Sequence, residues 1–355
     1  MNSTQTFRPA CPATPHAAAS VLRAPRRALH GVLLLDKPLG WSSNDALQKV
    51  KGMLRAEKGG HTGTLDPLAS GLLPLCFGAA TKFSQASLEA DKTYRATLQL
   101  GVTRVGGDRE GAVLETQPIG FDEAALHAAC AALTGDIEQL PPMHSALKHE
   151  GRALYEYARA GVEIERTARR VSVHRLDILR WQHDVLEIEV CVSKGTYIRS
   201  LAEDLGRLLG CGAHLSALRR TASGPLGVAD AVTIDGLAAL SQAEREARLL
   251  HPDVLLADWP AVHLAADDAG RFLSGLRRRV DEIDCAAVRV YGPPLQAASS
   301  STAADTRTSA FLGIAHVKAG ELIPGRLLSP PEVQALLQAA SARAEPNEFK
   351  QASTT

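Results

Sequence analysis

Gly59-Gly60-His61-Thr62-Gly63-Thr64-Leu65-Asp66-Pro67-Leu68-Ala69-Ser70-Gly71 is the most informative stretch of this chain. Four glycines and a proline within thirteen residues make it a shaped loop and not a helix interior. Glycine admits positive φ and lets the backbone approach another molecule closely. The loop carries one imidazole, His61, and one carboxylate, Asp66, which Pro67 biases away from the α region. A carboxylate on a stiff, water-poor loop can serve as a nucleophile or a base. Leu65-Asp66-Pro67 taken alone reads as an ordinary Asp-Pro turn; the whole string is far more specific.

Further blocks lie on either side, in a fixed order. Lys37-Pro38-Leu39-Gly40-Trp41-Ser42-Ser43 precedes the loop, and Asp91-Lys92-Thr93-Tyr94 follows it. Pro141-Pro142-Met143-His144-Ser145-Ala146-Leu147-Lys148 comes next. Ser193-Lys194-Gly195-Thr196-Tyr197-Ile198-Arg199-Ser200-Leu201 and Ala213-His214-Leu215-Ser216-Ala217-Leu218-Arg219-Arg220 complete the set. Together with residues 59 to 74, these blocks resemble the motifs of the bacterial tRNA pseudouridine-55 synthases, the TruB family of pseudouridine synthases. The resemblance extends from about Gly31 to Leu328.

The resemblance implies an α+β fold. A catalytic domain of residues 30–252 is built on a mixed, largely antiparallel sheet with flanking helices. A small PUA-like, β-rich RNA-binding domain follows over 258–328, with a leader (1–29) and a C-terminal tail (329–355) outside them. It implies isomerisation of a flipped-out uridine in the T-arm stem-loop of tRNA, with no cofactor and no metal because atoms and oxidation state are conserved. Asp66 is the implied nucleophile, at C1′ or at the base, and Arg199 its implied cationic partner. Tyr94 and Tyr197 lie against the target uracil, Leu218 walls the pocket, and His61 stacks within the RNA fold. No obligatory protein partner is implied, and the expected state is a monomer.

The residues themselves keep other readings in view. Tyr94 alone would serve as a core aromatic, and Arg199 as a surface arginine at a helix start, where the dipole mildly disfavours a cation. On an extended segment Tyr197 and Arg199 would share a face. An RNA-binding or tRNA-folding protein would use the same surfaces, but would need no nucleophile. The chain departs from the family pattern at Thr103-Arg104-Val105-Gly106-Gly107-Asp108, where small hydroxyl residues are usual, and at His144, where tyrosine is common.

Composition agrees with an RNA enzyme without demanding one. A length of 355 residues with 45% hydrophobic and 22% charged residues fits a globular protein with more than one domain. No apolar run reaches the ~18 residues of a membrane span. Cys11, Cys76, Cys130, Cys191, Cys211 and Cys285 form no C-x-x-C pair, so neither a zinc site nor a disulfide framework is expected, and a reducing cytoplasm fits. Net charge is zero, but basic clusters occur at Arg23–Arg27, Arg166–Arg175, Arg219-Arg220 and Arg277-Arg278-Arg279; each is a phosphate contact or a solvated face. Residues 1–29 hold no acid and several prolines, the pattern of a disordered leader.

Local patterning places the motifs. Val32–Leu35 reads as a buried strand, and Ser42 with Asp45 as a helix start whose inner face is Leu47, Val50 and Leu54. Tyr94–Leu100 and Leu186–Val192 alternate as strands do. Asp122 opens a helix with Leu126, Cys130 and Leu133 inward, closed by Gly135. A helix near Ser200 and Glu203 turns Leu201, Leu205 and Leu208 inward. Beyond His251-Pro252, Asp267 or Asp268 caps a short helix, and strands follow at 287–291, 311–317 and 322–328. Gln296–Ser309 reads as a mobile loop, and Val333–Leu337 as at least one helical turn.

Overall fold

Strand alternation and long-range pairing build the frame that carries the motifs. In the computed structural model, which describes residues 25–293 and 309–344, a ten-stranded sheet runs in the order Val232–Thr233, Gly31–Lys37, Ala69–Phe77, Ala213–Ser223, Lys92–Leu100, Val185–Val192, Arg169–Gln182, Gly135–Gln139, with Gly59–His61 and Leu226–Gly227 attached at its side. Two pairings are parallel, Gly31–Lys37 with Val232–Thr233 and Ala69–Phe77 with Ala213–Ser223; the others are antiparallel. The sheet is mixed and largely antiparallel, as expected.

Helices cover it where apolar spacing allows. Ser43–Leu54 buries Leu47, Val50 and Leu54, and its N-cap Ser42 accepts from the Asp45 amide, which satisfies an otherwise orphaned donor. Glu123–Ala132 is capped by the Asp122 side chain; Gly135, expected to close it, instead begins the edge strand. Ile198–Leu208 contains Ser200 and Glu203 in its interior. Leu208 is 47% exposed and not inward, because the next apolar position after Leu205 on that face is Leu209, which packs on the core.

A five-stranded sheet, Ala261–His263, Cys285–Gly292, Ala310–Lys318, Glu321–Leu327 and Arg278–Arg279, forms the PUA-like unit. Its helix Ala266–Leu273 is capped at Ala265 without a side-chain bond, so Asp267 and Asp268 occupy the first turn and not the cap. The tail holds a helix, Pro330–Ala344, far longer than a single turn. One apolar cluster unites Val32, Leu72, Cys76 and Phe83 beneath the first sheet with Phe311 of the second and with Phe272 and Val333 on the helices beside it. Phe83 and Phe311 meet with ring centroids 5.1 Å apart. Lys82 donates to Leu327 O at 3.0 Å and pairs with Glu332 at 2.6 Å.

The expected mobile loop lies outside the described residues, apart from Ser309, as does most of the leader. The leader's last residues, 25–29, are placed: the Arg27 amide donates to Arg55 O and Arg27 O accepts from Glu57 N. No helix among the described residues is long and apolar enough to cross a membrane.

Candidate active site

The glycine-rich stretch is the turn of a hairpin. Gly59–His61 pairs with Ala69–Phe77, His61 opposite Leu75, and residues 62–68 bulge from the sheet between them. Several contacts hold the bulge. Ser43 Oγ accepts from Leu65 N at 2.8 Å and donates to Leu65 O at 3.0 Å. The Gly40 amide donates to Pro67 O at 2.7 Å, and the Ala69 amide to Asp66 O at 3.0 Å. The Lys-Pro-x-Gly block and the following serines therefore act as scaffolding for the loop that presents Asp66. Lys37 is buried and donates to Trp41 O at 2.6 Å and Pro38 O at 3.0 Å; burial pushes its ammonium down to about 8, with Asp66 opposing the shift.

Asp66 faces Arg199. The Arg199 Nη2 lies 2.9 Å from Asp66 Oδ2, and the guanidinium is 6% exposed against 43% for the carboxylate. Nη1 lies 3.5 Å from Asp108 Oδ2, Nη2 donates to His144 O at 2.7 Å, and Nη1 to Gly106 O at 3.4 Å. Arg199 thus bridges two carboxylates and does not clamp one. It occupies the first turn of helix Ile198–Leu208, not a strand end, and is buried there. Tyr197 is the extended N-cap of that helix, so the two do not share a strand face; the chain turns between them. Gln139 holds the turn, its Nε2 donating to Tyr197 O at 3.0 Å and its Oε1 accepting from Tyr197 N at 2.7 Å.

Asp66, Tyr94, Tyr197, Arg199 and Leu218 line one cavity of about 250 Å³ together with Lys92, Ser145 and Arg220. Tyr94 and Leu218 pack against both apolar clusters of the large sheet, so the cavity opens at their seam. His61 lines an adjoining cavity of about 640 Å³ with Asp66, Asp108, His144 and Arg199, and not the smaller one. Burial, with Arg220 second, pushes the His61 imidazole below its ordinary value, which favours the neutral ring. Arg169 lies over the Tyr197 ring, 5.0 Å from its centroid.

The sequence reading missed Lys37, Lys92, Asp108, Ser43 and Arg220 as parts of this site. It also took Arg219-Arg220 as a basic cluster. Arg219 instead pairs bidentately with Asp36 at 3.0 and 2.7 Å, and Arg220 is buried. Arg220 sits in register between Tyr94 on one strand and Gly71 on the other. Gly71 has φ +100°, and a Cβ there would come within 2.3 Å of Arg220 O, so only glycine lets the two strands close. The departure from the family pattern around Arg104-Val105 leaves Asp108 against Arg199; the Arg104 Nη1 ties the loop by donating to Gly111 O at 2.9 Å.

A buried guanidinium bracing a carboxylate beside two tyrosines and an apolar wall suits covalent chemistry on a planar, uncharged ring. The architecture is that of the pseudouridine synthases. Among solved structures, it is similar to a chain of a Cbf5–Nop10–Gar1 complex, with 23% identity, a TM-score of 0.64 and coverage of 86% of this chain and 87% of that one. It is also similar to a chain of an H/ACA ribonucleoprotein bound to a substrate RNA containing 2′-deoxyuridine, with 22% identity, a TM-score of 0.63 and coverage of 87% and 88%. Residues 51–198 match the TruB family pseudouridylate synthase N-terminal domain, and residues 199–257 the tRNA pseudouridylate synthase B C-terminal domain. The chain is 53% identical over 328 residues to the tRNA pseudouridine synthase B of Verminephrobacter eiseniae, covering 90% of this chain and 95% of the relative. It is 53% identical over 313 residues to that of Burkholderia mallei, covering 86% and 96%. The chain belongs to the TruB family of pseudouridine synthases.

Proposed function

We propose that this synthase isomerises uridine-55 in the T-loop of tRNA to pseudouridine, with Asp66 as the nucleophile. The observation that carries this reading is the Asp66–Arg199 contact of 2.9 Å inside the cavity lined by Tyr94, Tyr197 and Leu218. The target base is stacked inside a folded RNA arm and must be extruded; flipping costs a few kcal/mol, which aromatic stacking and phosphate contacts offset. Tyr94 and Tyr197 receive the base, with Tyr94 on the side from which the C5 proton leaves. Arg199, 2.9 Å from the carboxylate, holds Asp66 in place and offsets the cost of its charge as the site closes. His61, in the adjoining cavity, stacks on RNA as a neutral ring.

Residues 258–328 add backbone contacts and no chemistry. The chain acts as a monomer in the cytoplasm, without a protein partner or cofactor. The test is incubation of purified protein with unmodified tRNA and mapping of pseudouridine by mass. Conversion at the T-loop uridine, lost in Asp66→Asn with RNA binding kept, supports the reading. Turnover by Asp66→Asn overturns it.

A further inference from the structure

One charged side chain in the wall of the 250 Å³ cavity has no part in the reaction as described so far. Arg220 is 1% exposed. Its Nε donates to Leu72 O at 2.6 Å and its Nη2 to Gly63 O at 3.2 Å. Among the described residues, no hydrogen bond engages Nη1 and no ion pair includes Arg220. A second incompletely paired buried cation of the cavity is Lys92, 7% exposed, whose ammonium donates to Leu88 O at 2.7 Å, Ser87 O at 3.4 Å and Ala90 O. Lys92 also forms no ion pair among the described residues. Burial, followed by the charge of Arg220, pushes it down to about 8. Arg199, by contrast, is balanced by Asp66 and Asp108. The cavity therefore contains an excess of buried positive charge beside Tyr94, whose Cα is the register partner of Arg220.

A neutral uridine does not call for that excess, but the broken bond does. When C1′–N1 cleaves, the bonding pair passes to N1 and spreads onto O2 and O4 of the ring. Asp66 bonds to C1′ as N1 leaves; the C5=C6 π pair then displaces that carboxylate as it forms the C5–C1′ bond, the C5 proton leaves to a base, and N1 takes up a proton. Atoms and oxidation state balance throughout. We infer that Arg220 donates through Nη1 to a carbonyl oxygen of the extruded uracil and, with Lys92 behind it, stabilises the anionic ring released by glycosidic cleavage. This rests on the proposed isomerisation. Preorganised donors aimed at charge that develops in the transition state are the strongest catalytic device available to such a site.

The experiment compares T-arm stem-loops carrying uridine or 5-fluorouridine at the target, in single turnover with enzyme saturating. Fluorine withdraws electrons and makes the ring a better leaving group. Arg220→Met removes every donor. It is expected to lose about 10²-fold in cleavage of uridine, and distinctly less with 5-fluorouridine, at nearly unchanged RNA affinity. Arg220→Lys keeps the charge and is expected to fall between Arg220→Met and the unaltered enzyme in both rate and substrate ratio. Equal losses for the two substrates would mean that Arg220 only clamps Gly63 and Leu72, and would overturn the inference. If Arg220→Met does not melt cooperatively, Arg220→Lys carries the same comparison alone. Asp66→Asn separates the two readings. Turnover by that variant sinks the nucleophile assignment, while the substrate ratio of the Arg220 variants reports on Arg220 only.

Discussion

Around the ten-stranded sheet, Lys37, Lys92, Asp108, Arg199 and Arg220 are all buried, none more than 8% exposed. In the five-stranded sheet, no charged side chain among the described residues is buried to that degree. Its strand Cys285–Gly292 is tied to the segment before the sheet: Tyr291 donates to Asp253 Oδ2 at 2.7 Å, and His251 Nδ1 lies 2.7 Å from Asp253 Oδ1. Burial works to raise the Asp253 pKa, yet His251 and Tyr291 hold it below its ordinary value. Burying a charge costs several kcal/mol unless it is well paired. The satisfied network is a structural tie; the incompletely paired cations Lys92 and Arg220 are where the proposed chemistry lies.

Five substitutions strain that contrast, from the largest expected effect to the smallest. Asp66→Asn should lower single-turnover pseudouridine formation by about 10⁴-fold or more, since the nucleophile acts as a unit with its partners, while filter binding of tRNA stays close to that of the unaltered enzyme. Arg199→Lys conserves charge but cannot reach both Asp66 and Asp108 with one planar group. Misplacement on this scale costs on the order of 10²-fold in rate, and a near-normal rate would remove Arg199 from its role.

Phe311→Ala probes the other region. It should cost about 3 kcal/mol of stability by calorimetry and leave the saturating rate of the folded enzyme unchanged; a rate loss in well-folded protein would place chemistry in the C-terminal sheet. Arg279 is exposed, and no ion pair among the described residues includes it. Arg279→Ala should flatten the dependence of log affinity on log salt by about one unit, without altering the saturating rate.

The smallest effect concerns acid. His30 Nδ1 accepts from the Ala79 amide at 2.9 Å, so the ring is held neutral, and burial pushes its pKa down from 6.5, with Glu332 opposing and Lys82 assisting. A depressed pKa gives stability that is present above the unfolded value and lost as pH falls through the folded one. Melting temperature should therefore drop between about pH 7 and about pH 5, and by less in His30→Gln, which keeps an acceptor.

Much of this was legible before any coordinates. Helix starts at Ser42 and Asp122 and the alternation of Leu186–Val192 are local, and the structure has them where patterning put them. The buried cations were not legible, because their environment depends on strands distant in sequence, such as the parallel pairing of Leu218 with Ala69. A signal existed nonetheless. Residues two apart on a strand share a face, so assigning Leu218 and Tyr94 to the pocket already implied Arg220 and Lys92. Arg199 was harder to place, since the tight turn at Gly195, with φ +81°, starts the helix one residue before it.

The apolar cluster that runs through both sheets, with Phe83 against Phe311, has a consequence for substrate choice. It joins the two units into one gauge, with the span from cavity to C-terminal strands fixed by packing. An RNA that engages both must match that span between its extruded base and the backbone of its stem. On the proposed function, a stem-loop would be chosen by that calibre, without a single base edge being read.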